Sequence, residues 1–176
     1  MILRLKRTPG IYLVGFMACG KSTIGRLLAE ELGWRFADLD DDITAAEHNS
    51  IASIFDERGE EEFRRIERAA LEKRVREVRL SKPLVLALGG GAFAQTGNRE
   101  LLLSSGISIW LDCPFERIEK RVRNNQDRPL ARDPEAFRKL FDSRREAYSL
   151  ADCRVAIESE HPADAVRAIR NLPGLF

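Results

Sequence analysis

The chain has 176 residues, 44% of them hydrophobic and 32% charged, with a formal net charge of +1. These are ordinary values for a soluble globular protein and suit a single domain, 1–176, around one sizeable core; the charge balance excludes a bulk electrostatic pull toward nucleic acid or a membrane surface. Three cysteines, Cys19, Cys113 and Cys153, are far apart, odd in number and outside any Cys-x-x-Cys or Cys/His spacing, which argues against a disulfide framework or a zinc site and for a reducing cytoplasm.

Short apolar runs alternate with longer amphipathic ones, a pattern that predicts an α/β domain with a mainly parallel sheet. Met1 to Pro9 is short and basic, and the apolar run after it is too brief for a signal peptide or a membrane span. Strands are expected at Ile11–Val14, Trp34–Ala37, Leu84–Leu88, Ile107–Leu111 and Arg154–Ile157. Helices are expected at Lys21–Leu32, Glu60–Val78, Asn98–Ser104, Phe115–Val122, Pro134–Tyr148 and Pro162–Asn171, with proline suited to the first turn of the last two. The polar stretch 123–133 lacks an apolar period and reads as a mobile loop. In such sheets ligands bind beyond the carboxyl ends of the strands, which directs attention to Gly15–Gly20, Asp38–Asp42, Gly89–Gly91 and Asp112–Pro114.

The first of these carries the strongest signal. Gly15-Phe16-Met17-Ala18-Cys19-Gly20-Lys21-Ser22 fits the phosphate-loop pattern G-x-x-x-x-G-K-[ST] in full, between an apolar strand and an amphipathic helix. Glycines let backbone N–H groups converge on an anion, and the helix adds its positive amino end. Lys21 would bridge the β- and γ-phosphates of a nucleotide, and Ser22 would offer its hydroxyl to Mg²⁺. Ala18 and Cys19 stand at positions often held by glycine or another small residue, and both are small enough to leave phosphate access open. Cys19 at a helix amino end beside Lys21 could sense redox state, but its neighbourhood in sequence offers no resolving thiol, so it reads as a tolerated small residue.

Asp38-Leu39-Asp40-Asp41-Asp42 closes the second strand, and period-two alternation would send Asp38 and Asp40 to one side. Two carboxylates beside a triphosphate need a cation or a base role. Asp38 is therefore assigned to the Mg²⁺ shell and Asp40 to an acceptor hydroxyl, as positioner or general base, with Asp41 and Asp42 as caps of the next helix. Asp112, at the end of Ile109-Trp110-Leu111-Asp112, is a rival metal ligand ranked below Asp38. Gly89-Gly90-Gly91 is entropically costly and makes sense where backbone must approach a ligand. Arg64 and Arg65 flank a buried stripe of Phe63 and Ile66, with Glu67 placed to steady Arg64. Arg144 and Arg145 lead to Tyr148, and either could pair with a substrate carboxylate. Arg128 on the mobile loop would neutralise transferring charge, a role worth about 10³–10⁵ in rate.

In this combination the chain resembles the shikimate kinases, in the nucleoside-monophosphate-kinase-like branch of P-loop proteins, from about Ile11 to Ile169. Its phosphate loop, Gly15 to Thr23, is similar to theirs except that Ala18 replaces the usual glycine. Asp38-Leu39-Asp40, Gly59-Glu60-Glu61-Glu62-Phe63-Arg64-Arg65-Ile66-Glu67, Leu88-Gly89-Gly90-Gly91-Ala92 and Arg128-Pro129-Leu130 look like the family's remaining motifs, in order. The resemblance implies a three-layer α/β/α fold with a five-stranded parallel sheet of order 2-3-1-4-5 and a lid at about 123–133. The substrate region lies at about 38–66. ATP would be held by Ala18, Cys19, Gly20, Lys21, Ser22, Thr23 and Arg128, and Mg²⁺ by Ser22 and Asp38. Shikimate would be held by Asp40, Arg64, Gly89, Gly90, Gly91 and Arg144. The implied catalytic set is Lys21, Asp40 and Arg128, moving the γ-phosphoryl group of ATP to the 3-hydroxyl of shikimate in aromatic amino-acid (chorismate) biosynthesis. A cytoplasmic monomer is expected, without nucleic-acid or membrane partners. The family often has an arginine near the adenine after the last strand, where this chain has Glu158-Ser159-Glu160-His161. Outside every motif, His48 and His161 read as surface residues. Two rivals are a gluconate-kinase-like enzyme and a ligand sensor without turnover.

Overall fold

The computed structural model describes residues 10–123 and 133–175. The elements run β1 (Gly10–Val14), α1 (Lys21–Leu32), β2 (Arg35–Asp38), α2 (Leu39–Glu47), α3 (Ile51–Arg79), β3 (Leu84–Ala87), a 3₁₀ turn (Ala92–Ala94), α4 (Thr96–Leu103), β4 (Ile107–Asp112), α5 (Phe115–Arg123), α6 (Pro134–Tyr148), β5 (Cys153–Ala156) and α7 (Pro162–Arg170). All strand pairs are parallel, and the sheet order is β2-β3-β1-β4-β5. Among the described residues no helix is long and apolar enough to cross a membrane.

Strands β1, β3 and β4 are buried along their whole length, as expected of a parallel sheet covered on both faces. The register pairs Val14 with Trp110 and Leu13 with Ile109, so Tyr12, Val14, Ser108 and Trp110 share one face. On that face the Tyr12 hydroxyl bonds Ser105 Oγ at 2.6 Å, and Trp110 meets Tyr148 of α6 with ring centroids 6.2 Å apart. Leu13 lies on the other face, under α1, where Gly25 brings the helix down onto Leu13 and Phe36. Helices α1 and α7 pack together there. The result is the expected three-layer α/β/α arrangement, with the carboxyl ends of all strands on one edge.

Two segments depart from the expected elements. Helix α3 starts at Ile51, not Glu60, and turns at Gly59, whose φ of 81° and ψ of 172° suit a residue without a Cβ. The acidic cluster does not continue the strand: β2 stops at Asp38, which caps α2 by accepting from Asp40 N at 3.1 Å. The cap is thus Asp38 and not Asp41 or Asp42. Asp42 instead makes a bidentate pair with Arg74 of α3, both bonds 2.6 Å, and Asp41 sits 3.7 Å from Arg26 in solvent. The local side-chain-to-backbone bond wins over strand alternation because it satisfies an otherwise orphaned helix-start N–H. The 123–133 lid, except Arg123 and Asp133, lies outside the described residues, and so does Arg128.

At the edge remote from the strand ends that carry the motifs, Gly106 meets the start of β1. A Cβ there would collide with the Gly10 carbonyl oxygen and lie 2.6 Å from Tyr12 Cε2. Gly106→Ala is expected to cost about 1–3 kcal/mol. The readout is a lower denaturant midpoint at unchanged m-value with unchanged kinetics, and a midpoint equal to that of the parent would contradict this packing.

Candidate active site

The phosphate loop owes its shape to three residues with positive φ: Gly15 (146°), Ala18 (59°) and Gly20 (102°). Ala18 therefore holds a left-handed conformation that glycine would adopt freely, at a cost of about 1–2 kcal/mol. Its place in a loop fixed at both ends explains why a glycine is usual there. Lys21 Nζ donates to the Gly15 and Phe16 carbonyl oxygens, both at 2.9 Å, which folds the ammonium over the loop's own rim. Cys19 is fully buried, 3.8 Å from Lys21 Nζ. Cys113 is buried as well, and burial pushes its thiol up to about 11, which keeps it protonated and a poor nucleophile.

The loop forms one wall of a cleft of about 500 Å³. Asp38, Asp40, Leu88 and Gly90 line it at one end, and Arg121, Ile157, Ser159, Glu160 and Pro162 at the other. His161 also reaches this wall although it is solvent-exposed, whereas His48 lies outside it. The second end is built by α5. Arg117 donates to the carbonyls of Ile157, Glu158 and Ser159 at 2.7–2.9 Å, and Glu160 pairs with both Arg117 (2.9 Å) and Arg121 (2.7 Å). Arg121 also donates to the Ala18 carbonyl at 3.0 Å, joining the loop after β5 to the phosphate loop. Neither arginine was singled out from sequence; their four-residue spacing on one face of α5 was the available signal.

At the first end, Ser22 Oγ donates to Asp38 Oδ2 at 2.5 Å. A hydroxyl and a carboxylate converging at the foot of a phosphate loop are hard oxygen donors, and a Mg²⁺ ion sharing them with phosphate oxygens and waters fits this set. The rival, Asp112, is spent elsewhere: its carboxylate is bound by Arg145 and Arg154, so it is no metal ligand here.

Next to Asp40, at the end of β3, stands a cationic group centred on Arg64. The glycine triplet makes room for it by lacking Cβ atoms, not by unusual torsions, since none of the three has a positive φ. A Cβ on Gly89 would lie 2.6 Å from Asp40 Oδ1, and one on Gly91 would lie 2.7 Å from Arg64 Nη2. Arg64 is held by Glu67 at 2.8 Å and Glu60 at 3.2 Å, and lies over the rings of Phe63 and Phe55. Its Nε is buried without a hydrogen-bond partner among the described residues, an orphaned donor that a bound anion could satisfy. Arg65 points away and pairs with Glu62 in solvent. Of the adjacent arginines 144 and 145 on α6, Arg145 turns to Asp112, and the charge of Arg144 favours ionisation of Glu67 and Tyr148. The Tyr148 hydroxyl donates to the Gly90 carbonyl at 2.6 Å, which ties α6 to the glycine triplet. Lys21, Ser22, Asp38, Asp40 and Gly90 thus line one cleft, and Gly89, Gly91 and Arg64 stand beside Asp40 at the end of β3, while Arg64 and Arg144 are not among the residues that line it.

A sequence profile described as shikimate kinase matches residues 17–172. The shikimate kinase of Persephonella marina is 41% identical over 160 residues, covering 90% of this chain and 95% of that protein. A solved shikimate kinase from Acinetobacter baumannii, in complex with shikimate, superposes with a TM-score of 0.85 at 35% identity, covering 96% and 94% of the two chains. A gluconokinase from Sinorhizobium meliloti covers 96% of this chain and 91% of its own with a TM-score of 0.55 at 16% identity, which shows a shared fold alone.

Glu67, only 1% exposed, supplies a pH test. Burial pushes its carboxyl above the ordinary 4.5, with Asp40 adding to the rise and Arg64 and Arg144 opposing it. The folded chain therefore binds this proton more tightly than the unfolded chain. The stability it contributes is full below about 4.5 and lost as pH rises through the raised native value. Relative to Glu67→Gln, the parent should lose stability as pH climbs through that window, read as denaturant midpoints at several pH values; a difference flat in pH would contradict it.

Proposed function

Because the chain belongs to the shikimate kinase family, we propose that its cleft binds MgATP along Ala18–Thr23 and shikimate against Asp40, Gly89–Gly91, Arg64 and Arg144. The reaction is transfer of the γ-phosphoryl group to the 3-hydroxyl of shikimate, releasing ADP, in aromatic amino-acid biosynthesis. The observation that carries the reading is the place of Asp40. Its carboxylate is admitted by Gly89 at the point where the phosphate cleft meets the arginine set. A hydroxyl held there sits between the transferring phosphate and the carboxylate clamp.

The roles follow from charge. Arg64, with its orphaned Nε, and Arg144 pair with the substrate carboxylate, each such charge-assisted bond contributing about 1.5–3 kcal/mol. That clamp converts an encounter of two substrates into a fixed in-line geometry. Asp40 accepts the hydrogen bond of the attacking hydroxyl and takes its proton as the O–P bond forms. Lys21 exchanges its loop carbonyls for β- and γ-phosphate oxygens and, with backbone N–H groups of the loop, stabilises the charge that develops there. Ser22 and Asp38 would hold Mg²⁺, which supplies neutralising charge to the phosphates. Arg128, outside the described residues, is assigned to the phosphates by the family motif alone. The base end of the cleft is walled by Arg121, Glu160 and Pro162. We further take the protein to act on small molecules as a cytoplasmic monomer, in line with its free cysteines and balanced charge.

The direct test incubates the purified protein with MgATP and either shikimate or gluconate and identifies the product by mass. Shikimate 3-phosphate and ADP are expected, with gluconate inert. Lys21→Met and Asp40→Asn should each lower kcat by about 10² or more at unchanged thermal midpoint. Parent-like turnover in either variant would remove that residue from its role, and product from gluconate alone would replace the substrate.

A further inference from the structure

Arg144 and Arg145 are adjacent on α6 and serve different sides of it. Consecutive helix residues are about 100° apart in azimuth, so whatever holds one sets the direction of the other. Arg145 is held firmly. Its Nη1 donates to Asp112 Oδ1 at 2.7 Å and its Nη2 to Oδ2 at 3.3 Å, and its guanidinium lies over Trp110 at 5.0 Å and Phe141 at 5.5 Å. Asp112 is 7% exposed and also accepts from Arg154 of β5 at 2.5 and 2.8 Å, with Arg154 stacked over the same Trp110 ring at 5.2 Å. Asp112 is therefore a fixed anion at the end of a central strand, and α6 is fastened to it through Arg145.

We propose that Asp112 is a positioning residue for acid recognition: acting through Arg145, it fixes the rotation of α6 and so aims Arg144 at the substrate carboxylate. This rests on the proposed role of Arg144. The Tyr148 hydroxyl on the Gly90 carbonyl and the buried Phe137 and Phe141 seat the helix on the core. The bidentate pair with Asp112 adds a fixed direction at the residue next to Arg144, because a planar fork tolerates little turning. Arg154 provides an internal control. It binds the same carboxylate but belongs to β5 and is 61% exposed, so its loss leaves the link to α6 in place.

The experiment compares Arg145→Ala, Arg145→Lys, Arg154→Ala and Arg144→Ala in the full chain, with separate KM values for shikimate and ATP, kcat, and thermal midpoints. Arg145→Ala should raise KM for shikimate about tenfold, with KM for ATP and kcat within about twofold, since a small misplacement of a clamp is amplified in binding. Arg145→Lys, which keeps the charge and loses the fork, should fall between Arg145→Ala and the parent. Arg154→Ala should leave both KM values unchanged. Arg144→Ala should raise KM for shikimate by about 10–100-fold. If Arg144→Ala has no effect, the assignment of Arg144 itself fails. If Arg144→Ala acts as expected while Arg145→Ala leaves KM for shikimate unchanged, or Arg154→Ala raises it equally, the positioning role is overturned and the assignment of Arg144 stands.

Discussion

Two absent Cβ atoms at the end of β3 decide how close charge can come to the sheet edge. Asp40 arrives from the first turn of α2 and Arg64 from α3, and each occupies space that a side chain at Gly89 or Gly91 would fill. Without that clearance the Asp40 carboxylate and the Arg64 guanidinium would each be displaced from their places at the end of β3. The entropic cost of three consecutive glycines is met by Tyr148, whose hydroxyl holds the middle carbonyl. The remaining features of the site are arranged round this opening.

The ion pairs of the molecule divide into two groups by that criterion. Asp42, Asp112 and Glu160 are each bound by arginines and bind elements together. Lys21, Asp38 and Asp40 line the opening, with Arg64 beside Gly91 at the end of β3, where an arriving anion or cation can exchange with the present partners. Glu67 belongs to both groups: it is buried, steadies Arg64, and pays for its place with a carboxyl that holds its proton more tightly. A site of this kind is preorganised by charges that their partners hold in place before any ligand arrives.

Much of this was legible from residue order. The helices Lys21–Leu32 and Pro134–Tyr148 match the reading residue for residue, since strong apolar period coincides with clear start signals. The phosphate loop and the glycine triplet were recognisable because their chemistry is carried within a short segment, whereas Arg64, on a Glu/Arg-rich helix, stood out only through the family likeness. Where competing local rules met, the reading slipped. Asp38 to Asp42 satisfied both a strand alternation and a helix cap, and only the orphaned N–H groups of α2 decided for the cap. The first part of α3 escaped notice because Gly59 reads as a helix boundary, although the helix merely turns there. Arg117 and Arg121 carry no local signal, since the carbonyls and the carboxylate they hold come from the loop after β5, far along the chain.

Residue order by itself determined the architecture and the phosphate-binding element, because each depends on periodicity or on groups close in sequence; the acceptor follows from the chain's likeness to the shikimate kinases. Tertiary structure alone decided that Arg145 turns to Asp112, that Asp112 is spent as an anchor, and that Glu160 closes onto Arg117 and Arg121. These are questions of azimuth and of contacts between segments distant in the chain. No local pattern encodes them, since they are settled only when strands and helices pack and every buried charge must find its partner.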